Sequence, residues 1–521
     1  MQVGQPVERK ISMPPLAWLF TLCAMAITIA WFVHALGYWE DDAYIHLEFA
    51  RSLATDHGFA FNGRVVYGDT SPLWVLLLAA FHAMLPSPGA GPANPMDPHR
   101  WIVAGKTLCA IAAIVALTGI FRFSRSLVRG TLDEAASNLF AATMLLMMVL
   151  GPYFGYWAFS GMEALAAAGL IAWTLTLAAP RVLSMQRFLG AALLAGLAPV
   201  LRPEISFFTL LAGLLLLARL VRMPVPFARK PLLLLAGLVL IAAPTLAWAR
   251  YALRTFGMVV PNTNAAKRAM PNDPVVRHLA QIYLFGYPLL VLGAVLLAGW
   301  LLWSLTRGSP DATKRSRSIP RLLPASGWLL LLLTGIDGAF YIADHTYVQT
   351  RYIFVTAPLA TIALLALARM AWQAAYRPVV GFGLVFGVVV SALSTWPLVS
   401  AKKRVDRIYA DLAAYMATLP PSAAVAHYSI GEAAFLSQHT IIDTGGITRP
   451  GIIPLLADPT DDRRTAWIYG QGAQYEVIDH QPVAGATLVW SRRLPGTQWR
   501  LHLHADPDTD WLMLWKLPPR P

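Results

Sequence analysis

Long apolar runs recur along the first 400 positions of this chain. Residues 231–248, 289–303, 328–343 and 379–396 carry almost no charge. A helix needs about 20 mostly apolar residues to cross the hydrocarbon core of a bilayer. One such run could be the buried core helix of a soluble protein; a series of them could not. Only 13% of the 521 residues are charged, about half the share of an ordinary soluble domain. The chain therefore reads as an α-helical polytopic membrane protein. About eleven spans are expected, at 15–36, 101–120, 136–152, 163–179, 187–201, 205–220, 231–249, 282–305, 325–343, 352–370 and 377–397. Arg9 and Lys10 precede the first run, which is too long for the apolar region of a signal peptide and reads as an uncleaved helix.

The formal net charge of +13 would suggest nucleic-acid binding in a soluble protein. Here much of the Lys and Arg lies in short loops between apolar runs, where it sets orientation instead. Residues 71–85 decide the topology. They are apolar but short, and the Pro/Gly-rich stretch PSPGAGPANPMDP closes them. If this segment crossed the membrane, Arg122, Arg125 and Arg129 would lie outside. If it lies at the interface, Arg9/Lys10, Arg122/Arg125/Arg129, Arg181/Arg187, Arg222/Arg229/Lys230, Lys314/Arg315/Arg317/Arg321 and Arg369/Arg377 all become cytoplasmic. The positive-inside rule favours the second arrangement. It predicts an inner-membrane protein with a cytoplasmic N-terminus, a membrane module over 1–400 and a first external loop at 37–100 carrying juxtamembrane helices. Beyond residue 401 charge density rises. A helix is expected at 405–418, followed by strands in AAVAHYS, HTIIDTGG, YEVIDH, ATLVWS, RLHLHAD and WLMLWKL. Residues 401–521 thus read as a small external α/β domain. Cys23 and Cys109 fall in apolar segments and fit neither a metal-ligand spacing nor a disulfide framework.

Ionisable side chains at a membrane edge are costly to desolvate and are functional candidates for that reason. Asp41 and Asp42 stand at the end of the first span. They suit a solvated helix N-terminus as well as a site, and spacing alone leaves both open. The residues after them are amphipathic, with Ile45, Phe49 and Leu53 on one face and His46 and Arg51 off it. A helix lying on the membrane surface is expected there, holding the carboxylates at headgroup depth. Lys267 and Arg268, in VVPNTNAAKRAMPND, are cations against the usual bias. They suit a phosphate clamp or a solvated basic loop. His345 and Arg351, in ADHTYVQTRY, add two more cationic candidates, with snorkelling as the plain reading of the arginine.

Five separated pieces of sequence resemble one group of enzymes. They are the stretch from DDAYIH to DTSPLW (41–74), SGMEAL (160–165), LRPE (201–204), VPNTNAAK (260–267) and IGEAAFLSQHTIIDTGGITRP (430–450). Together they resemble the GT-C fold, polyprenyl-phosphate-sugar-dependent glycosyltransferases, and most closely the terminal arabinofuranosyltransferase family of mycobacterial cell-wall synthesis and its bacterial relatives. The resemblance implies a helix bundle with an external active site and an external C-terminal domain. It implies transfer of a sugar, such as the pentofuranose arabinofuranose, from a polyprenyl monophosphate to a hydroxyl on a glycan, glycolipid or protein.

In that group an acidic residue of the first external loop is catalytic. The role falls on Asp41, with Asp42 as the alternative. Lys267, Arg268, His345 and Arg351 become candidates for the donor phosphate. Tyr44, His46, Asp69, Glu163, Asn262 and Asn264 become weaker substrate-binding candidates. Glu163 and Glu204 equally suit ion pairs between helices, and Asp443 suits a turn. The chain shows no His/Asp cluster of metal-binding pattern; since some proteins of this fold bind a divalent metal, the point stays open. A transporter or flippase for a lipid-linked sugar is the alternative function. It would place polar groups near the membrane midplane in interrupted helices, whereas the charged candidates here sit at span ends on one side. A silent scaffold for a polysaccharide complex is a third reading.

Overall fold

A computed structural model describes residues 13–85, 96–269, 275–306, 323–371, 373–457, 462–495 and 511–519. Arg9 and Lys10, the Pro/Gly-rich residues 86–95, the basic cluster 314–321 and the strand expected at 500–506 lie outside them. Seven helices are long and apolar enough to cross a membrane: Pro15–His34, Pro98–Val128, Pro203–Val221, Phe227–Phe256, Ala325–Asp344, Thr350–Met370 and Tyr376–Met416. The outer ones present Leu232, Leu235, Val239 and Leu246 to the surroundings, as lipid-facing helices must. The chain is a multi-pass membrane protein.

The expected span at 282–305 is not one straight helix. It is a pair, Val275–Gly286 and Pro288–Gly299, bent by 104°. Pro288 has no N–H to continue the ladder, and its ring would clash with the preceding turn. Gly286 lets the bend sit against Tyr153, whose ring would lie 2.2 Å from any Cβ placed there. Three further expected spans, 136–152, 163–179 and 187–201, form the helices Glu134–Val149, Ala164–Ala178 and Met185–Leu201 of 16, 15 and 17 residues. Their rise of roughly 23–26 Å falls short of the ~30 Å hydrocarbon core. The segment at 71–85 is a 13-residue helix, Pro72–Met84, short as expected.

Small residues let these helices approach closely. A Cβ on Gly169 would lie 2.6 Å from that of Ala116, and one on Gly196 would lie 2.2 Å from the carbonyl oxygen of Leu240.

The first loop contains the helix Asp41–Ala54 and a small hairpin, β1 (Ala60–Phe61) with β2 (Arg64–Val65). The helix differs from expectation. Residues 43–52 are all buried, His46, Glu48 and Arg51 included, so no face lies along the membrane surface. The helix Ile430–Ser437 covers it. Arg51 donates to the Phe435 carbonyl at 3.1 Å and sits over the Phe435 ring, while pairing with Glu48.

After a π-helical turn at Ser391–Thr395, the helix Trp396–Met416 continues past residue 401 into the C-terminal part. There a small sheet forms from β3 (Ala424–His427), β4 (Thr440–Asp443), β5 (Tyr475–Val477), β6 (Thr487–Arg493) and β7 (Trp511–Lys516), in the order β4-β3-β5-β7-β6. β3 runs parallel to β4 and β5, with Val425 opposite Ile441 and Tyr475. β7 is antiparallel to β5 and β6. Ile430–Ser437 connects β3 to β4. Asn62 of the first loop, at φ +50°, donates to the His439 carbonyl and accepts from the Ile441 N–H, both at 2.8 Å. That docks the hairpin on β4.

Gly196→Ala should lower stability by about 1–3 kcal/mol, because the added methyl meets backbone that cannot move aside. Gly335→Ala, whose Cβ would meet nothing within 4 Å, should be neutral or slightly stabilising. Thermal unfolding of the detergent-solubilised variants distinguishes these outcomes.

Candidate active site

The helix Asp41–Ala54 carries Asp41 and Asp42 in its first turn and His46 one turn on. Both His46 ring nitrogens are engaged: Nδ1 with Asp69 Oδ2 at 2.5 Å and Nε2 with Glu163 Oε2 at 3.1 Å. Burial alone would drive proton loss, but the two carboxylates outweigh it and raise the imidazole to about 10. His46 is therefore a cation donating from both nitrogens. Glu163 precedes the helix Ala164–Ala178 but does not cap it through its side chain. Its other oxygen accepts from Arg202 at 2.7 Å, and Arg202 also reaches Glu204 at 3.4 Å. Burial works against ionisation of Glu163, yet Arg202 and His46 hold its carboxyl far below the usual range.

The result is a ladder of alternating charge, Asp69–His46–Glu163–Arg202–Glu204. It joins the first loop to SGMEAL and LRPE. Gly161 completes the junction at φ +92°, where a Cβ would lie 2.0 Å from the Trp39 ring; its carbonyl accepts from Trp74 Nε1. Lys106, from the helix Pro98–Val128, fastens the same corner by donating to the carbonyls of Ala35, Tyr38 and Phe159 at 2.5–2.8 Å.

Beside the ladder lies a second group. Arg351 occupies the first turn of the helix Thr350–Ala371, where a cation opposes the helix dipole. Asp42 compensates, accepting from Arg351 at 2.5 Å. Lys267 bonds the Tyr352 hydroxyl. Arg202, Lys267 and Arg351 all stand 4.9–5.3 Å from the centre of the Tyr352 ring, so one aromatic ring gathers three cations. The Asp42 side chain keeps 30% of its surface exposed. Burial pushes its carboxyl up, but Arg351, Lys267 and His46 outweigh that and hold it below the usual range.

Asp41 lives in a different field. Its carboxylate accepts from the Glu432 N–H at 2.9 Å. A Cβ on Gly431 would lie 2.0 Å from the Asp41 carbonyl oxygen, so this approach requires glycine. Burial raises Asp41 most, the Glu432 and Gly431 N–H groups resist, and Asp42 and Glu40 add repulsion; the carboxyl settles at about 7. The two adjacent aspartates are thus driven apart.

Most of the sequence candidates converge here: Asp41, Asp42, His46, Asp69, Glu163, Lys267 and Arg351. Asn262 donates its backbone N–H to the Tyr67 carbonyl at 3.0 Å and is buried; Asn264 lies one turn before Lys267 on the same helix, Asn262–Ala269. Others go elsewhere. Tyr44 packs against Trp39 and Phe435, under the C-terminal helix. Arg268 pairs with Asp344, more than half exposed. His345 is an exposed helix cap at φ +51°. Asp443 is a turn residue: its carboxylate accepts from the N–H groups of Gly445, Gly446 and Thr448. Tyr352 and Glu432 were not singled out by sequence. Tyr352 directly follows Arg351, and Glu432 lies inside IGEAAF, but neither local pattern signals a partner so far along the chain. No group of three or more His, Cys, Asp or Glu is placed to hold a metal ion among the described residues.

Two solved structures resemble the chain along nearly its whole length. ArnT from Cupriavidus metallidurans bound to undecaprenyl phosphate superposes with a TM-score of 0.54 at 13% identity, covering 97% of this chain and 99% of that one. ArnT from the same organism in the apo state gives 0.53 at 13% identity, with coverages of 96% and 97%. At such identity the likeness is one of fold. No family model matches the chain, and no curated protein matches it. The fold is of GT-C type, a helix bundle with a small C-terminal sheet domain.

Glu163→Gln leaves Arg202 and His46 without their shared anion and should cost about 3–5 kcal/mol of stability. Glu204→Gln removes one long contact, 3.4 Å, to a mostly buried carboxylate and should cost less, about 1–2 kcal/mol. The raised His46 value contributes stability that is complete below its ordinary 6.5 and disappears as pH rises through about 10. Wild-type protein should therefore unfold more easily above that pH, and His46→Gln should lack this alkaline step in thermal melts.

Proposed function

We propose that the protein is a membrane glycosyltransferase that takes a sugar from a polyprenyl monophosphate and delivers it to an acceptor hydroxyl on the external face. The observation that carries the reading is the adjacent carboxylate pair, in which Asp42 binds Arg351 of the Arg351–Lys267–Tyr352 group while Asp41 is held by the Glu432 N–H. A fold shared with a protein captured with undecaprenyl phosphate supports the donor class. The resemblance of the five motifs supports the reaction, with arabinofuranose as the sugar it suggests.

In this mechanism Asp41 is the general base. A base is most effective when its pKa lies near the working pH, and Asp41 at about 7 meets that condition. As the acceptor oxygen forms its bond to the anomeric carbon, its proton passes to Asp41. The bond between that carbon and the phosphate oxygen breaks, and both its electrons leave with the lipid phosphate. Arg351 and Lys267 stabilise the anion produced. Asp42 is the resident counter-ion of Arg351, and the incoming phosphate takes over part of that role. Phosphate leaves without needing a proton, so one base suffices.

The bent pair Val275–Gly286 and Pro288–Gly299 is the kind of interrupted helix that a lipid-linked-sugar transporter would use. Its cavity is lined by Met144, Tyr153, Tyr287, Phe354 and similar side chains, with no charged residue among those described. That disfavours transport of a sugar phosphate through it.

The test is transfer from labelled polyprenyl-phosphate sugars to surface-glycan acceptors, using membranes that contain the protein. Asp41→Asn should lower kcat by about 10²–10⁴-fold, and near-wild-type turnover would remove Asp41 as base. In the wild type, kcat/KM should rise with pH through about 7, because only ionised Asp41 accepts a proton. Lys267→Ala should raise the donor KM roughly 10–100-fold; unchanged donor kinetics would exclude it from the phosphate site.

A further inference from the structure

A wide groove opens at the other end of the bundle. It has a volume of about 2130 Å³, and seven arginines line it: Arg122, Arg125, Arg129, Arg181, Arg187, Arg219 and Arg222. No acidic side chain lines it among the described residues. Lys106 and Arg125 lie on one helix, Pro98–Val128, with Lys106 bound beside the charge ladder. Nineteen residues of helix separate them, about 28 Å, close to one hydrocarbon thickness. The arginine cluster therefore belongs to the leaflet opposite the ladder.

Arginines that only fix topology need to lie in water and nothing more. This cluster is built differently. Arg219 is 94% buried by its 6% exposure, yet its Nε has no hydrogen-bond partner among the described residues. One Nη reaches the Ala179 carbonyl at 3.5 Å. Arg125 pairs with Glu134 at 2.7 Å, and Arg122 lies over the Trp173 ring at 5.2 Å. A buried guanidinium without an anion is costly, and so many like charges in one groove repel one another. The groove continues away from its basic end along apolar walls, including Met25, Ile29 and Phe32 of one helix and Leu117 and Phe121 of another. A free anion would satisfy the charges but leave those walls bare.

We propose that this groove binds a phospholipid with an anionic headgroup. The headgroup phosphate sits among the arginines, with Arg219 Nε as a donor, and an acyl chain lies along the apolar walls. The site is separate from the proposed sugar chemistry and does not depend on it. Basic pockets between helices at a membrane surface recognise anionic lipids in this way.

The experiment is native mass spectrometry of the full-length protein in detergent, titrated with phosphatidylglycerol, phosphatidylcholine or inorganic phosphate. Phosphatidylglycerol should be retained at about tenfold lower concentration, or less, than phosphatidylcholine. The triple variant Arg122→Gln/Arg187→Gln/Arg222→Gln changes only exposed side chains and should erase that preference. Arg219→Gln should weaken retention on its own; should it fail to fold, the triple variant still decides. Equal retention of the two lipids, or an unchanged preference in the triple variant, would overturn the proposal. Complete displacement of phosphatidylglycerol by inorganic phosphate would also overturn it, and would identify a free-anion site instead.

Discussion

The architecture around the candidate site depends on one carboxylate held away from water. Glu163 is 1% exposed and ionised only because Arg202 and the His46 imidazolium stand on either side. Each partner is costly to bury alone and acceptable together. That requirement fixes three distant segments: the first-loop helix, the loop before Ala164–Ala178, and the exit of Met185–Leu201. Gly161 and Lys106 serve the same end. The glycine lets the Trp39 ring come within contact distance, and the ammonium gathers the carbonyls of Ala35, Tyr38 and Phe159. Removing any member leaves a charge or a void in the corner on which Asp41 and Asp42 rest.

From that corner the two aspartates diverge. They are neighbours in one helical turn and begin with the same intrinsic acidity. Asp42 faces a guanidinium, an ammonium and the imidazolium. Asp41 faces the backbone N–H groups of another helix and two other carboxylates. Two like groups in unlike fields can take different chemical roles, and this difference comes from long-range packing. It also accounts for glycine at 431, since a methyl there would push the covering helix off the Asp41 carbonyl.

Much of this was legible in the sequence. Apolar runs of membrane length located most of the helices, because the bilayer imposes its own dimension. The short helix after Ser71 followed from length and from the Pro/Gly-rich residues after it. The strands of the C-terminal sheet followed from short apolar runs between turn residues, and Asp443 from its glycines. The five motifs named most of the residues that meet at the ladder. Four features were not legible. The break before Pro288 was masked by apolar residues on both sides of Gly286 and Pro288, which together read as one span. Amphipathicity suggested a half-exposed helix at 41–54, because periodicity cannot reveal a cover contributed by residues 430–437. Arg268 and His345 read as clamp residues since proximity in sequence to Lys267 and Arg351 says nothing of direction; one turns to Asp344 and the other caps a helix. Tyr352 went unnoticed for the same reason, as its three cations come from three separate segments.

The contact between Asp41 and Glu432 spans 391 positions of chain. A polypeptide emerges from its N-terminus onward, so the first loop reaches its side of the membrane long before its covering helix exists. Until then Asp41 lacks the burial that does most to raise its affinity for a proton. Maturation of the site is therefore tied to the last quarter of translation. A chain that stops after the bundle lacks the contact that sets Asp41 apart from Asp42.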